Sequence, residues 1–302
     1  MSNKYSYALL LLLSISLTLF FQSTNAGDLV IYWGQDNGDG PLRDTCNTGL
    51  FKIVNIAFLS TFGSGRQPQL NLAGHCVPPN CQNLRNSINI CQSRGIKVML
   101  SIGGEYRNTY SFSSPEDASQ LADYIWNNFL GGNSPSRPFG DAILDGVDFD
   151  IEGGSNLHYD TLALKLNDHY KSNSRKFYLT AAPLCIFQDN ILQKAINTGL
   201  FDYVWVQFYN GKNVCNFVSN NPTNFKTTWS QWINSMSTKK VFVGLPASPD
   251  AAPGGGGFVE AQDLINQLLP IVKSSTKYGG VMLWNRRYDV VKGYSSKIKG
   301  SV

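Results

Sequence analysis

The sequence is poor in what several large function classes require. Its 302 residues include only three histidines, His75, His158 and His169, none in HExxH spacing, and its six cysteines form no CxxC pair. Neither a zinc-hydrolase motif nor a zinc ribbon is therefore present. Basic residues are scattered, in short clusters such as Lys239-Lys240 and Arg286-Arg287. Such pairs read as solvated surface, and no nucleic-acid track is formed. No Asn-x-Ser/Thr acceptor with a permitted middle residue occurs, so N-glycosylation is not expected. The apolar run at 8–21 has 14 residues and contains Ser14, Ser16 and Thr18, whereas a bilayer span needs about 20 apolar residues.

That run follows a segment, 1–7, with one lysine and no acid, and it precedes Thr24-Asn25-Ala26. Small residues in that position are what a signal peptidase reads. Residues 1–26 are therefore expected to be a cleaved secretion signal, with Gly27 as the new N-terminus. Residues 27–302 are expected to form one domain with a substantial core. They hold 24 Lys+Arg and 21 Asp+Glu, a net charge of +3, a balance that points to an uncharged partner. All six cysteines (Cys46, Cys76, Cys81, Cys91, Cys185, Cys215) lie there. An even count behind a secretion signal predicts three disulfides formed in an oxidising compartment, and six cysteines allow fifteen pairings.

Short β-branched and aromatic runs recur at 29–33, 53–59, 97–102, 146–151, 177–181, 203–209, 241–245 and 280–284. Between several of them lie stretches with helical spacing, at 118–128, 162–170 and 263–272. Eight strands alternating with helices predict an α/β fold, a single-domain (β/α)8 TIM barrel. The strands are nearly continuous apolar runs, as parallel strands covered on both faces require. A doubly wound open sheet would carry a Gly-rich phosphate turn after its first strand, but that strand runs into Tyr32-Trp33-Gly34-Gln35. The glycine-rich stretch 253–257 reads as a loop and not as a domain boundary.

The fourth of these strands leads into Glu152 as Gly146-Val147-Asp148-Phe149-Asp150-Ile151-Glu152. Alternation puts Asp148, Asp150 and Glu152 on one face and the three apolar residues on the other. The apolar set must pack under helices, which turns the acids toward the barrel axis. Buried ionised carboxylates are costly and repel one another, so at least one is expected to hold a proton near neutral pH. A calcium or magnesium site would want further Asp/Asn ligands on a loop, and none is obvious. A proton donor with a raised pKa beside a second carboxylate suits glycosidic-bond hydrolysis. Other strands close in residues suited to sugars: Tyr32 and Trp33 on the first, Gln207 and Tyr209 on the sixth, Trp284 on the eighth.

The segment Asp145–Glu152 resembles the DGxDxDxE signature of family-18 glycoside hydrolases. The chain is further similar to plant class III chitinases at IYWGQ (31–35), VNIAFL (54–59), NLAGHC (71–76), GIKVMLSIGG (95–104), WNNFLGG (126–132), LFDYVWVQFYN (200–210) and YGGVMLW (278–284). The resemblance implies a retaining mechanism assisted by the substrate's own N-acetyl group, an exception to the two-carboxylate scheme. In it Glu152 is the acid, Asp150 orients the acetamido group, Tyr209 holds its oxygen, Asp148 supports Asp150 and Trp284 floors the pocket. Tyr32, Gln35, Asn71, Ala73, Gly74 and Gln207 match positions that line the cleft. The implied substrate is β-1,4-linked N-acetylglucosamine of the chitin type, cleaved internally, with peptidoglycan cleaved by some relatives. The implied disulfides are Cys46–Cys91, Cys76–Cys81 and Cys185–Cys215. No cofactor, metal, membrane or nucleic acid is expected, and the protein is expected to be a monomer, secreted or vacuolar.

The chain departs from the family in three places. After the third strand it reads Gly103-Gly104-Glu105 where relatives commonly have three glycines. Asn37 replaces a frequent glycine, and Leu184 replaces a common glutamine. Glu105 puts a bulky acid where backbone meets sugar, and the glycone subsites are expected to be narrowed or reshaped. A non-catalytic chitin-binding lectin, storage protein or inhibitor on the same scaffold is the competing expectation. The acid motif, filled by the expected residue types, favours the enzyme.

Overall fold

A computed structural model describes residues 26–302 except 212, 213 and 255; the expected secretion signal lies outside the described residues. The described residues form nine strands: β1 (Asp28–Trp33), β2 (Ile53–Gly63), β3 (Arg66–Leu70), β4 (Lys97–Gly104), β5 (Gly146–Ile151), β6 (Tyr178–Ala181), β7 (Tyr203–Gln207), β8 (Lys240–Pro246) and β9 (Tyr278–Trp284). Eight of them run parallel in the order β1-β9-β8-β7-β6-β5-β4-β2, and pairing of β1 with β2 closes the cylinder. The architecture is the expected (β/α)8 barrel.

Alternation along each strand separates two apolar layers. Val147, Phe149 and Ile151 of β5 join the outer layer beneath the helices. The inner layer includes Val30, Tyr32, Met99, Trp205, Tyr209 and Met282. The helix Pro115–Phe129 shows how local sequence fixes the outer shell. Ser114 caps it by accepting from Asp117 N at 3.2 Å, Pro115 opens it, and Glu116 and Asp117 complement its N-terminal dipole. Ala118, Leu121, Ala122, Ile125 and Phe129 form its buried stripe, which packs with the helix Tyr159–Lys171 around the barrel.

Two features were not expected. β2 continues past Leu59 and pairs antiparallel with β3 to form a hairpin above the barrel. Arg-Gln-Pro-Gln-Leu is mostly exposed and contains proline, which an edge strand tolerates but which hides it from apolar periodicity. The helical stretch at 261–272 has a π-wound middle turn, Leu264–Leu268. The cysteines pair as Cys46–Cys91, Cys76–Cys81 and Cys185–Cys215. The first joins the helices Leu42–Asn47 and Arg85–Ser93 across a separation of 45 residues. Closing a loop of that length stabilises the fold by about 4 kcal/mol in the chain-entropy picture.

Candidate active site

The C-terminal ends of the strands surround a cavity of about 660 Å³, lined by Gln35, Phe58, Glu105, Tyr106, Arg107, Glu152, Tyr209, Asn210 and Trp284, with 251–254 on one side. β5 carries Asp148 and Asp150, which lie buried outside the cavity lining, and leads into Glu152, which lines it. Glycine at 103 makes this possible. It has φ +106°, and a Cβ there would collide with the Asp150 carbonyl, so only glycine lets β4 press against β5 at this level.

Asp148 is the deepest of the three acids and is wholly buried. Tyr32 Oη and Ser101 Oγ each donate to its Oδ2 at 2.7 Å, and Thr180 Oγ1 donates to Oδ1 at 2.8 Å. Trp205 Nε1 in turn donates to Tyr32 Oη at 3.0 Å. These hydroxyls favour the charged form, yet burial outweighs them and pushes the carboxyl up to about 6. Asp148 makes no hydrogen bond to Asp150 among the described residues, and it acts on Asp150 through its charge.

Asp150 and Glu152 share one donor. Gln207 Nε2 lies 2.8 Å from Asp150 Oδ1 and 3.5 Å from Glu152 Oε1, and it also reaches Ala182 O at 2.9 Å. Burial raises the Asp150 carboxyl well above its ordinary range, and the neighbouring Glu152 and Asp148 charges add to the rise. Burial likewise raises Glu152; Glu105 adds to that, while the Gln207 amide and Arg107 oppose it. Two acids in one low-dielectric site, joined by one amide, disfavour each other's charged form, so both carboxyls are pushed upward. The Glu152 backbone N–H donates to Tyr110 Oη at 3.2 Å, and that hydroxyl donates to Gly104 O at 2.6 Å, clamping β5 to β4.

The aromatic floor is built from three strands. Trp284 stacks on Phe58 with centroids 5.9 Å apart and planes at 22°, and meets Tyr32 edge-on at 5.5 Å. Tyr209 is only 5% exposed and borders the cavity. Its backbone is pressed by Gly257, where φ is +105° and a Cβ would strike Tyr209 Cα. Asn210 N donates to Gly256 O at 3.0 Å, so the glycine-rich loop is tied to the end of β7.

Not every residue expected at the cleft opens onto it. Tyr32 and Gln207 are each 1% exposed and lie beneath the cavity, holding Asp148 and Asp150. Trp33 faces the helices, since alternation allows only one of Tyr32 and Trp33 to face the axis; its Nε1 donates to Gly40 O at 2.9 Å. Ala73 and Gly74 form a lip beyond the cavity lining, where Asn37 leans on Gly74. Leu184 is bridged to Gln207 away from the lining. Gln35, Glu105 and Trp284 do line the cavity, and Asn71 reaches its rim by donating to Tyr106. Phe58, Tyr106, Arg107, Asn210, Ser101 and Thr180 were not singled out from sequence. Ser101 and Thr180 were legible as polar residues inside apolar strands, and Tyr106 and Arg107 as residues directly after a strand end. Phe58 carries no such signal.

Three comparisons agree with this geometry. Residues 28–256 match the sequence profile described as glycosyl hydrolases family 18. A "basic endochitinase" of Nicotiana tabacum is 57% identical over 297 residues, 98% of each chain. Among solved structures, a chitinase from Ipomoea carnea is 52% identical with TM-score 0.87, covering 91% of this chain and 100% of its own. A xylanase and α-amylase inhibitor protein from Scadoxus multiflorus is 41% identical with TM-score 0.85, covering 92% and 100%. With a profile match over most of its length, a full-length relative above half identity and the acids at the mouth of the barrel, the chain belongs to glycosyl hydrolase family 18.

Proposed function

We propose that this protein is a secreted endochitinase that cleaves internal β-1,4 linkages of N-acetylglucosamine chains with retention. The observation that carries the reading is the ladder Asp148–Asp150–Glu152, with one amide shared by its two outer acids, under an open cavity floored by Trp284. Glu152, whose carboxyl burial pushes upward, gives its proton to the leaving glycosidic oxygen as the C1–O bond breaks. The oxygen of the substrate's own acetamido group forms the new bond to C1, giving an oxazolinium ion. Asp150 orients that group and balances its positive charge, Asp148 acts on Asp150 by its charge, and Tyr209 holds the acetamido oxygen. Water then opens the ring, with the Glu152 carboxylate taking up its proton. Secretion, to the extracellular space or the vacuole, is supported by three disulfides, which persist in oxidising compartments. No described helix is long and apolar enough to cross a membrane.

The test is time-resolved product analysis of N-acetylglucosamine hexamer with wild type and Glu152→Gln. The expected result is rapid cleavage to shorter oligomers by wild type and a loss of turnover of at least about 100-fold in the variant, with hexamer binding retained. Binding without cleavage by the wild type would make the protein a lectin on this scaffold. Turnover retained in Glu152→Gln would mean that another group donates the proton.

A further inference from the structure

Gln35 and Asn71 stand together at the lip of the cavity, each with one half of its amide already engaged by the backbone. Gln35 Nε2 donates to Ala57 O and Asn71 O, both at 2.9 Å, which leaves Oε1 as its outward acceptor. Asn71 Oδ1 accepts from Ala73 N at 3.1 Å, which leaves Nδ2 as its outward donor. One acceptor beside one donor is the complement of a single hydroxyl group, which gives one hydrogen bond and takes another. Both are met by one phenol. Tyr106 Oη accepts from Asn71 Nδ2 at 3.1 Å and donates to Gln35 Oε1 at 3.4 Å.

Among the described residues no other hydrogen bond holds that phenol. Tyr106 lines the cavity, is 42% exposed, and stacks on no other ring among the described residues. Its main chain, by contrast, is pinned. The Tyr106 carbonyl accepts from Thr109 N at 3.0 Å and from Thr109 Oγ1 at 2.7 Å. The side chain can therefore leave by rotating, without refolding the loop.

We propose that the Tyr106 hydroxyl is an internal stand-in for a sugar hydroxyl in a subsite formed by Gln35 and Asn71, and that an incoming saccharide chain displaces it. This rests on reading the cavity as a saccharide cleft. Affinity for chains long enough to reach the subsite is reduced by the fraction of molecules in which Tyr106 is docked. Tyr106 is thus a specificity-determining residue, which weakens binding of the longer chains.

The experiment is calorimetric titration of N-acetylglucosamine hexamer into Glu152→Gln protein, with and without Tyr106→Phe. Phenylalanine keeps the ring and removes only the hydroxyl. The expected result is binding about 2- to 10-fold tighter in Tyr106→Phe, the worth of one net hydrogen bond. That gain should shrink when Asn71→Ala is present in both proteins, because only the longer Gln35 contact then holds the phenol. Unchanged affinity would overturn the proposal, and so would weaker binding, which would make Tyr106 a direct sugar contact. A gain undiminished by Asn71→Ala would also overturn it. Hexamer binding to neither protein would remove the saccharide reading and the subsite together, whereas binding without tightening removes the displacement alone.

Discussion

Glu152 is tuned by two exposed side chains of opposite charge on the loop after β4. The register aligns Gly104 with Ile151, so Glu105 follows β4 where Glu152 follows β5. Glu105 raises the Glu152 carboxyl and Arg107 lowers it. A general acid works only while protonated, so its pKa sets the alkaline limb of the rate profile. Glu105→Gln is expected to move that limb of kcat/KM to lower pH, and Arg107→Gln to move it to higher pH. Both displacements should shrink as salt is added, because the two side chains are exposed and screened. Superimposable profiles for wild type and Glu105→Gln would show that the loop charge does not reach the acid.

At the scale of elements, the site depends on how closely β4 approaches β5. Gly103 is the contact point, at a positive φ and against the Asp150 carbonyl. Gly103→Ala adds backbone strain and overpacking together, which should lower unfolding stability by about 2–6 kcal/mol. It should also lower turnover, by displacing Asp150. Gly300→Ala is the control, since its Cβ would meet nothing within 4 Å. Urea unfolding of the two variants checks this. Equal midpoints would mean that the strands can part without cost.

At the scale of the whole molecule, the buried acids of β5 oppose its stability. Burial pushes the Asp148 carboxyl up to about 6 in the folded state, against an ordinary 3.8. Between those values the folded protein holds a proton that the unfolded chain has lost, so raising the pH favours unfolding. Stability is expected to decline as pH rises from about 4 to 7, by about 3 kcal/mol from Asp148 alone. Asp150 and Glu152 act in the same direction. Asp150→Asn should reduce the decline and leave the protein more stable than wild type at pH 7.5, though inactive. Unfolding free energies at pH 4.5, 6 and 7.5 for both proteins measure it. A wild-type curve that rises over this range would contradict the burial of these charges.

What the amino-acid order determined by itself is the part governed by short periodicities. Strand alternation placed Val147, Phe149 and Ile151 outward and the acids inward, because a residue's face follows from its parity along the strand. Eight apolar runs separated by helical stretches implied the closed barrel, and residue identity at the strand ends pointed to Glu152, Asp150 and Trp284. Tertiary structure decided what depends on neighbours distant in sequence. It drew Tyr32, Ser101 and Thr180 from three strands onto one carboxylate and sank Gln207 below the cavity. It also laid Tyr106 across Gln35 and Asn71, at sequence separations of 71 and 35. Hydrogen-bond partners and local dielectric are set by packing in three dimensions, and a linear pattern records neither.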